Sequence, residues 1–186
     1  MIQEMDLMEI FYWFHRHPEL SYEEYETTER IKRELAAAGI EILQIPLKTG
    51  VTAIVRGAKP GKTYGLRCDI DALPIAEETD LPYKSKTPGK MHACGHDFHA
   101  AMLLTAAKML KENEAELKGT VKFMFQPAEE TFEGSKNMIE HGILENPKVD
   151  AALAYHVSPG QMPVGIYMYN NTGTCLLYTS PSPRDK

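Results

Sequence analysis

His92, Cys94, His96 and His99 fall within the eight residues 92–99. Glu129 and Glu130 follow the apolar run 121–126, and His156 closes the apolar run 151–155. Thiolate, imidazole and carboxylate together suit Zn, Mn, Co, Ni or Fe better than Ca or Mg. Adjacent glutamates on an extended or turning backbone point in different directions, so one can face a metal while the other faces a substrate. A carboxylate near a metal-held water, but not ligating, is the general base of a metal hydrolase. Each residue alone has an ordinary explanation. A lone cysteine is more often a small buried hydrophobe. The Cys-Gly-His spacing is short, and most Glu pairs are solvated surface acids. The Gln126-Pro127 corner after an apolar strand argues against that for Glu129 and Glu130. His15, His17, His92 and His141 read as surface or structural, and Cys68 as packed within a strand. His99 lies one helical turn after His96 and reads as support for it.

These residues need elements to place them. Apolar Ile2, Met5, Met8, Ile10, Phe11 and Phe14 recur at helical spacing over 2–16. After a loop at Pro18, a helix starts near Ser21, where Ser21 and Glu24 are spaced as a capping box. Ile31, Leu35 and Ala38 form its buried face, and Gly39 is its stop. Segments 52–57 and 63–69 read as two short strands in a hairpin-like pair. A Pro- and Gly-rich loop over 73–90 leads to the Cys/His cluster, and a helix apolar on nearly all sides follows over 97–112. Then come a strand at 119–127, a helix at 134–141, and strands at 150–157 and 163–169. Strands alternating with helices predict an α/β domain: a mixed, largely parallel central sheet flanked by helices. Cys94 and His96 stand at a helix start, and Glu129, Glu130 and His156 at strand ends. In open α/β sheets such positions converge outside the carboxyl ends of the strands.

Bulk composition sets the outer limits. The 186 residues are 43% hydrophobic and 25% charged, with a formal net charge of −6, an ordinary globular balance. No Lys/Arg cluster points to nucleic acid, and no apolar run is long enough to span a membrane. The amphipathic, acidic start lacks the pattern of a signal peptide. Three scattered cysteines do not make a disulfide framework. A reducing, cytoplasmic setting is expected. Residues 175–186, CLLYTSPSPRDK, are aperiodic and resemble a sequencing adapter read in frame, so they are set outside the fold.

Five blocks in order, FHRHPELSYEE, GLRCDIDALPI, HACGHDFHAAMLLTAAKML, FQPAEETFEGSKNMIEHG and AYHVSPGQMPVG, carry a resemblance. They are similar to the metal-dependent amidohydrolases of bacteria and plants, a family with a zinc-peptidase-like catalytic domain. It includes hippurate hydrolase, auxin–amino acid conjugate hydrolases, N-acetyldiaminopimelate deacetylase, and related aminoacylases and carboxypeptidases. The resemblance implies two divalent metal ions (Mn, Zn, Co or Ni), with Cys94 bridging and His96, Glu130 and His156 as further ligands. It implies Glu129 as the catalytic base and Asp71 as the acid that orients the site. Asp69 stands where a wider group of relatives has a ligand and is not assigned to metal; Asp97 and His99 are expected behind the ligands. The implied reaction is hydrolysis of the amide bond of N-acyl amino acids or related small amides. A metallo-dipeptidase, carboxypeptidase or sugar N-deacetylase is the alternative within the class. A non-catalytic binding homologue and a structural zinc module are the alternatives outside it. The resemblance further implies that 1–174 is the N-terminal part of a catalytic domain. A satellite domain and the last histidine ligand would lie beyond it, in a parent that forms a homodimer or homotetramer. Exposed apolar surface and an inactive fragment are the matching expectations.

Overall fold

The computed structural model describes residues 4–158 and 165–166. The strand expected at 163–169, apart from 165–166, and the tail at 175–186 lie outside the described residues. In chain order the elements are α1 (Glu4–Arg16), α2 (Tyr25–Ala37), β1 (Glu41–Ile42), β2 (Val51–Arg56), β3 (Lys59–Asp69), α3 (His96–Glu112), β4 (Lys118–Gln126), α4 (Gly134–Glu140) and β5 (Ala151–Ala154).

The five strands form one mixed sheet in the order β1-β2-β4-β3-β5. β1 with β2 and β2 with β4 run antiparallel, whereas β3 runs parallel to both β4 and β5. The hairpin expected between 52–57 and 63–69 does not form, because β4 lies between β2 and β3 and pairs with both. The chain must therefore cross the end of β4, and glycines make this possible. A Cβ on Gly57 would lie 2.2 Å from the Leu117 carbonyl oxygen, and one on Gly119 would lie 2.1 Å from that of Lys62. Two backbones approach there more closely than any side chain allows.

Alternation along β4 sorts the two faces of the sheet. Val121, Phe123 and Phe125 face a core shared with α1, α2 and α3, which includes Ile10, Phe14, Ile31, Leu35, Ala100 and Leu104. Burying each of the two phenylalanines contributes about 1.5–3 kcal/mol. Met124 faces the other way, onto Met138 and Ile143 around α4. Lys122 is buried beside it, and its ammonium donates to the carbonyls of Ile143, Glu145 and Pro147. The α3 helix is buried over its first turns, while its last turns expose Met109. It is therefore less enclosed than its apolar sequence suggests.

Gly39 ends α2 as expected. At φ +66° it donates to the Ala36 carbonyl, and Ile40 donates to that of Leu35, the paired bonds of a Schellman stop. The start of α2 differs from expectation. The helix begins at Tyr25, and its N-cap residue Glu24 makes no side-chain cap bond. Ser21 and Glu24 are drawn instead into long-range bonds that build the site. Apolar surface is exposed along β5, where all four residues are exposed, and at Tyr155 and Ile166 beyond it.

Candidate metal centre

The three parallel strands deliver their carboxyl ends to one rim. Asp69 ends β3, with Asp71 two residues on. Glu129 and Glu130 follow β4, and His156 follows β5. Cys94 precedes α3 and His96 is its first residue. Gly95, between them, has φ +82°, a conformation that glycine adopts without strain.

His96 is the centre of the arrangement. It is fully buried, and its Nδ1–H donates to the Asp71 carbonyl at 2.8 Å. That bond keeps a proton on Nδ1 and leaves Nε2 as the nitrogen that can ligate once its own proton is given up. Nε2 lies 3.8 Å from Glu129 Oε2, 3.8 Å from Glu130 Oε1 and 3.7 Å from Asp69 Oδ1. Cys94 Sγ lies 3.4 Å from His156 Nε2. The ligating atoms of Cys94, His96 and His156 all lie within 4.8 Å of one another, as do those of His96, Glu129 and Glu130. The five residues expected at the metal or as its base are thus brought together, from three separate stretches of chain.

In a third trio within the same span, Asp69, His96 and His99, the Asp69 and His99 side chains bond each other and their neighbours. His99 Nδ1 bonds Asp69 Oδ1 at 2.5 Å, and its Nε2 accepts the Val157 amide at 3.0 Å. Asp69 Oδ2 accepts Arg67 at 2.7 Å. Neither ring nitrogen of His99 has a lone pair to give in this arrangement.

The Asp71 carboxylate lies at the junction of three site segments. Its Oδ2 accepts the Ser21 hydroxyl at 2.7 Å and the Glu130 amide at 3.0 Å, and its Oδ1 lies 3.3 Å from His96 Nδ1. The Asp71 backbone carbonyl thus holds the ring of one candidate ligand, and the carboxylate holds the backbone of another. Asp97, expected behind the ligands, pairs with His15 at 2.7 Å and accepts the Phe98 amide. His15 is structural as expected, clasped between Asp97 and Glu77, and the Asp97 bond raises its pKa.

Two supporting residues escaped the sequence reading. Ser21 reaches Asp71, and Glu24, fully buried, accepts the Ala128 amide at 2.8 Å and the Thr49 hydroxyl at 2.7 Å. Ala128 sits at φ +50° just before Glu129, so Glu24 secures a strained turn that carries both site glutamates. The Ser21-to-Glu24 spacing was visible, but it is equally the signature of a helix cap.

Charge and orphaned atoms show what the cluster accepts. His96 Nε2, Glu130 Oε1 and Asp71 Oδ1 are buried with no hydrogen-bond partner among the described residues. Burial opposes charge on His96, yet Asp71, Cys94 and Asp69 push its pKa up to about 11. The bond to His156, and then that to His96, lowers the Cys94 thiol. Burial raises Glu130, reinforced by Glu129 and Asp71. Burial would also raise Asp69, but His99, His96 and Arg67 hold it well below the usual carboxylate range. A cluster so rich in anions takes up positive charge strongly, and the soft and borderline donors with unmet lone pairs fit a transition-metal cation.

Comparison with known proteins agrees with this geometry. Residues 65–171 match the model of Peptidase family M20/M25/M40, and the chain belongs to that family. It is 51% identical over 152 residues to N-acetylcysteine deacetylase of Bacillus subtilis, covering 81% of this chain and 39% of the relative. It is 51% identical over 144 residues to IAA-amino acid hydrolase ILR1-like 5 of Arabidopsis thaliana, covering 77% and 32%. Among solved structures, the YXEP protein of Bacillus subtilis, described as a dinuclear metal binding peptidase from the M20 family, superposes with a TM-score of 0.81. That match has 48% identity and covers 84% of this chain and 43% of the other. The chain therefore spans about two fifths of the length of the relatives it matches.

Proposed function

We propose that this chain supplies the metal centre of a hydrolase that cleaves the amide bond of N-acyl amino acids or related small amides. The observation that carries this is a pair of trios that share His96, one with Cys94 and His156 and the other with Glu129 and Glu130, whose carboxylates both lie 3.8 Å from His96 Nε2. Cys94, His96, Glu130 and His156 would hold two divalent ions such as Mn, Zn, Co or Ni. Bound divalent cations supply Lewis acidity, polarising an amide carbonyl and making a water more acidic. Glu129 is the proton carrier. Its side chain is more exposed than that of Glu130, so its carboxylate reaches the solvent side. There it takes a proton from the attacking water and returns it to the leaving nitrogen. The backbone carbonyl of Asp71 orients the His96 ring so that Nε2 faces the site, and the Asp71 carboxylate steadies the Glu130 backbone.

The names of the relatives support this substrate class: a deacetylase of N-acetylcysteine and a hydrolase of an amino acid conjugate. A carboxypeptidase reading is the alternative, supported by 46% identity to thermostable carboxypeptidase 1 of Saccharolobus solfataricus. The free thiols of Cys68 and Cys94 suit a reducing, cytoplasmic compartment. The test uses the full-length protein, stripped with a chelator and reloaded with Mn, Co or Zn, against N-acetyl amino acids and dipeptides. Metal-dependent release of free amino acid supports the reading; equal turnover by the stripped protein refutes it.

A further inference from the structure

We propose that His99 is a positioning residue that holds the His156 segment in place by accepting the Val157 amide. The proposal rests on His156 being a ligand, and its test separates the two.

Pairing with β3 ends at Ala154, two residues before His156, and the side chains from there on are mostly exposed. All four residues of β5 are exposed, as are Tyr155, His156 and Ser158; only Val157 is partly buried. Two contacts seat Val157. Its Cγ2 packs against the bare α-carbon of Gly95, where a Cβ would come within 2.5 Å. Its amide donates to His99 Nε2 at 3.0 Å. The second contact requires a lone pair on Nε2, so the proton of His99 must sit on Nδ1, where it bonds Asp69 Oδ1. Asp69 is held in turn by Arg67. A rigid chain, Arg67 to Asp69 to His99, thus runs from the sheet to the loop backbone.

The consequence reaches the neighbouring ring. His156 Nδ1 bonds the Val157 carbonyl at 2.7 Å, which leaves the His156 lone pair on Nε2, facing Cys94. The His99 and His156 rings meet edge to face with centroids 4.7 Å apart. Val157 is therefore tied at its amide to His99 and at its carbonyl to His156. Fixing that one residue fixes the direction of the imidazole beside Cys94. His99 touches no reacting atom; it acts through Val157.

The first readout is the tautomer in the unaltered protein, by long-range ¹⁵N–¹H NMR of the histidine rings. The Nδ1–H form of His99 supports the proposal, and the Nε2–H form overturns it. The second is Zn affinity by competition titration in three variants. His99→Asn keeps a donor to Asp69 but cannot reach the Val157 amide, and should lose about 10–100-fold. His99→Gln places an acceptor where Nε2 was, and should keep most of the affinity. Equal affinity of His99→Asn and the unaltered protein, or equal losses in both variants, overturns the positioning role. His156→Ala reports on the ligand reading itself. If it leaves Zn affinity unchanged, that reading fails; if it lowers affinity while His99→Asn does not, only the positioning role fails.

Discussion

Cys94 and His156 are 62 residues apart in sequence, yet the thiol sulfur lies 3.4 Å from the ring Nε2. The contact joins the turn before α3 to the segment after β5, and neither could hold the other's side chain in place without the parallel sheet between. Removing the thiol should therefore be felt at once in metal content. Cys94→Ala should lower Zn affinity by more than the about 10–100-fold typical of losing a supporting partner. Elemental analysis after dialysis checks it; unchanged stoichiometry removes Cys94 from the ligand set.

Glu129→Gln tests the division of labour between the adjacent glutamates. The amide keeps the shape but cannot take a proton. In the full-length protein the variant should keep its metal while kcat falls about 10²–10⁴-fold. Normal turnover by a metal-loaded variant would show that another group moves the proton.

Glu24→Gln addresses the support beneath both glutamates. Burial raises the pKa of this carboxyl against its bonds to Thr49 and Ala128. The amide can accept from only one of those two donors while adding donors of its own to a buried site. A loss of about 1–3 kcal/mol in urea unfolding is expected. A variant as stable as the parent would mean that the Ala128 turn holds without it.

His92 gives a pH signature. It is buried, neither ring nitrogen has a hydrogen-bond partner among the described residues, and burial lowers its pKa to about 4. Its folded pKa lies below the ordinary value of about 6.5. The unfolded chain therefore binds the proton first, and stability is lost as pH falls from 6.5 toward 4. The full effect is on the order of 3 kcal/mol. His92→Leu should remove that part of the acid sensitivity. The check is the difference in urea midpoints between pH 7 and pH 4.5; if parent and variant lose the same amount, His92 is not the source.

Metal affinity should also fall in acid. Cys94 and the imidazoles must give up protons to bind, so protons compete with the metal as pH falls. Zn titrations from pH 8 to pH 5 should show a steady decline; a flat profile would argue for ligands that carry no proton.

Much of this was legible from residue types alone. The candidate ligands at 94, 96, 129, 130 and 156 were named from side-chain type and from their placing at strand ends and a helix start, and their separate roles came from the resemblance. The stop at Gly39 needed only a glycine after an amphipathic run. What stayed hidden was the partner choice of short polar residues. Ser21 and Glu24 fit a helix cap by spacing, but a cap is worth about 1 kcal/mol. A buried carboxylate serving the Ala128 turn, and a hydroxyl serving Asp71, gain more because bonds inside the fold are shielded from water.

The sequence by itself determined which side chains carry donors suited to a cation and roughly where the longer helices and strands run, because both depend on neighbours a few residues away. Tertiary structure alone decided that β4 separates β2 from β3, that Asp97 turns to His15 while Asp71 holds His96, and that His99 serves Val157. Those outcomes depend on which distant segments bury their apolar faces together, and no local pattern records that choice.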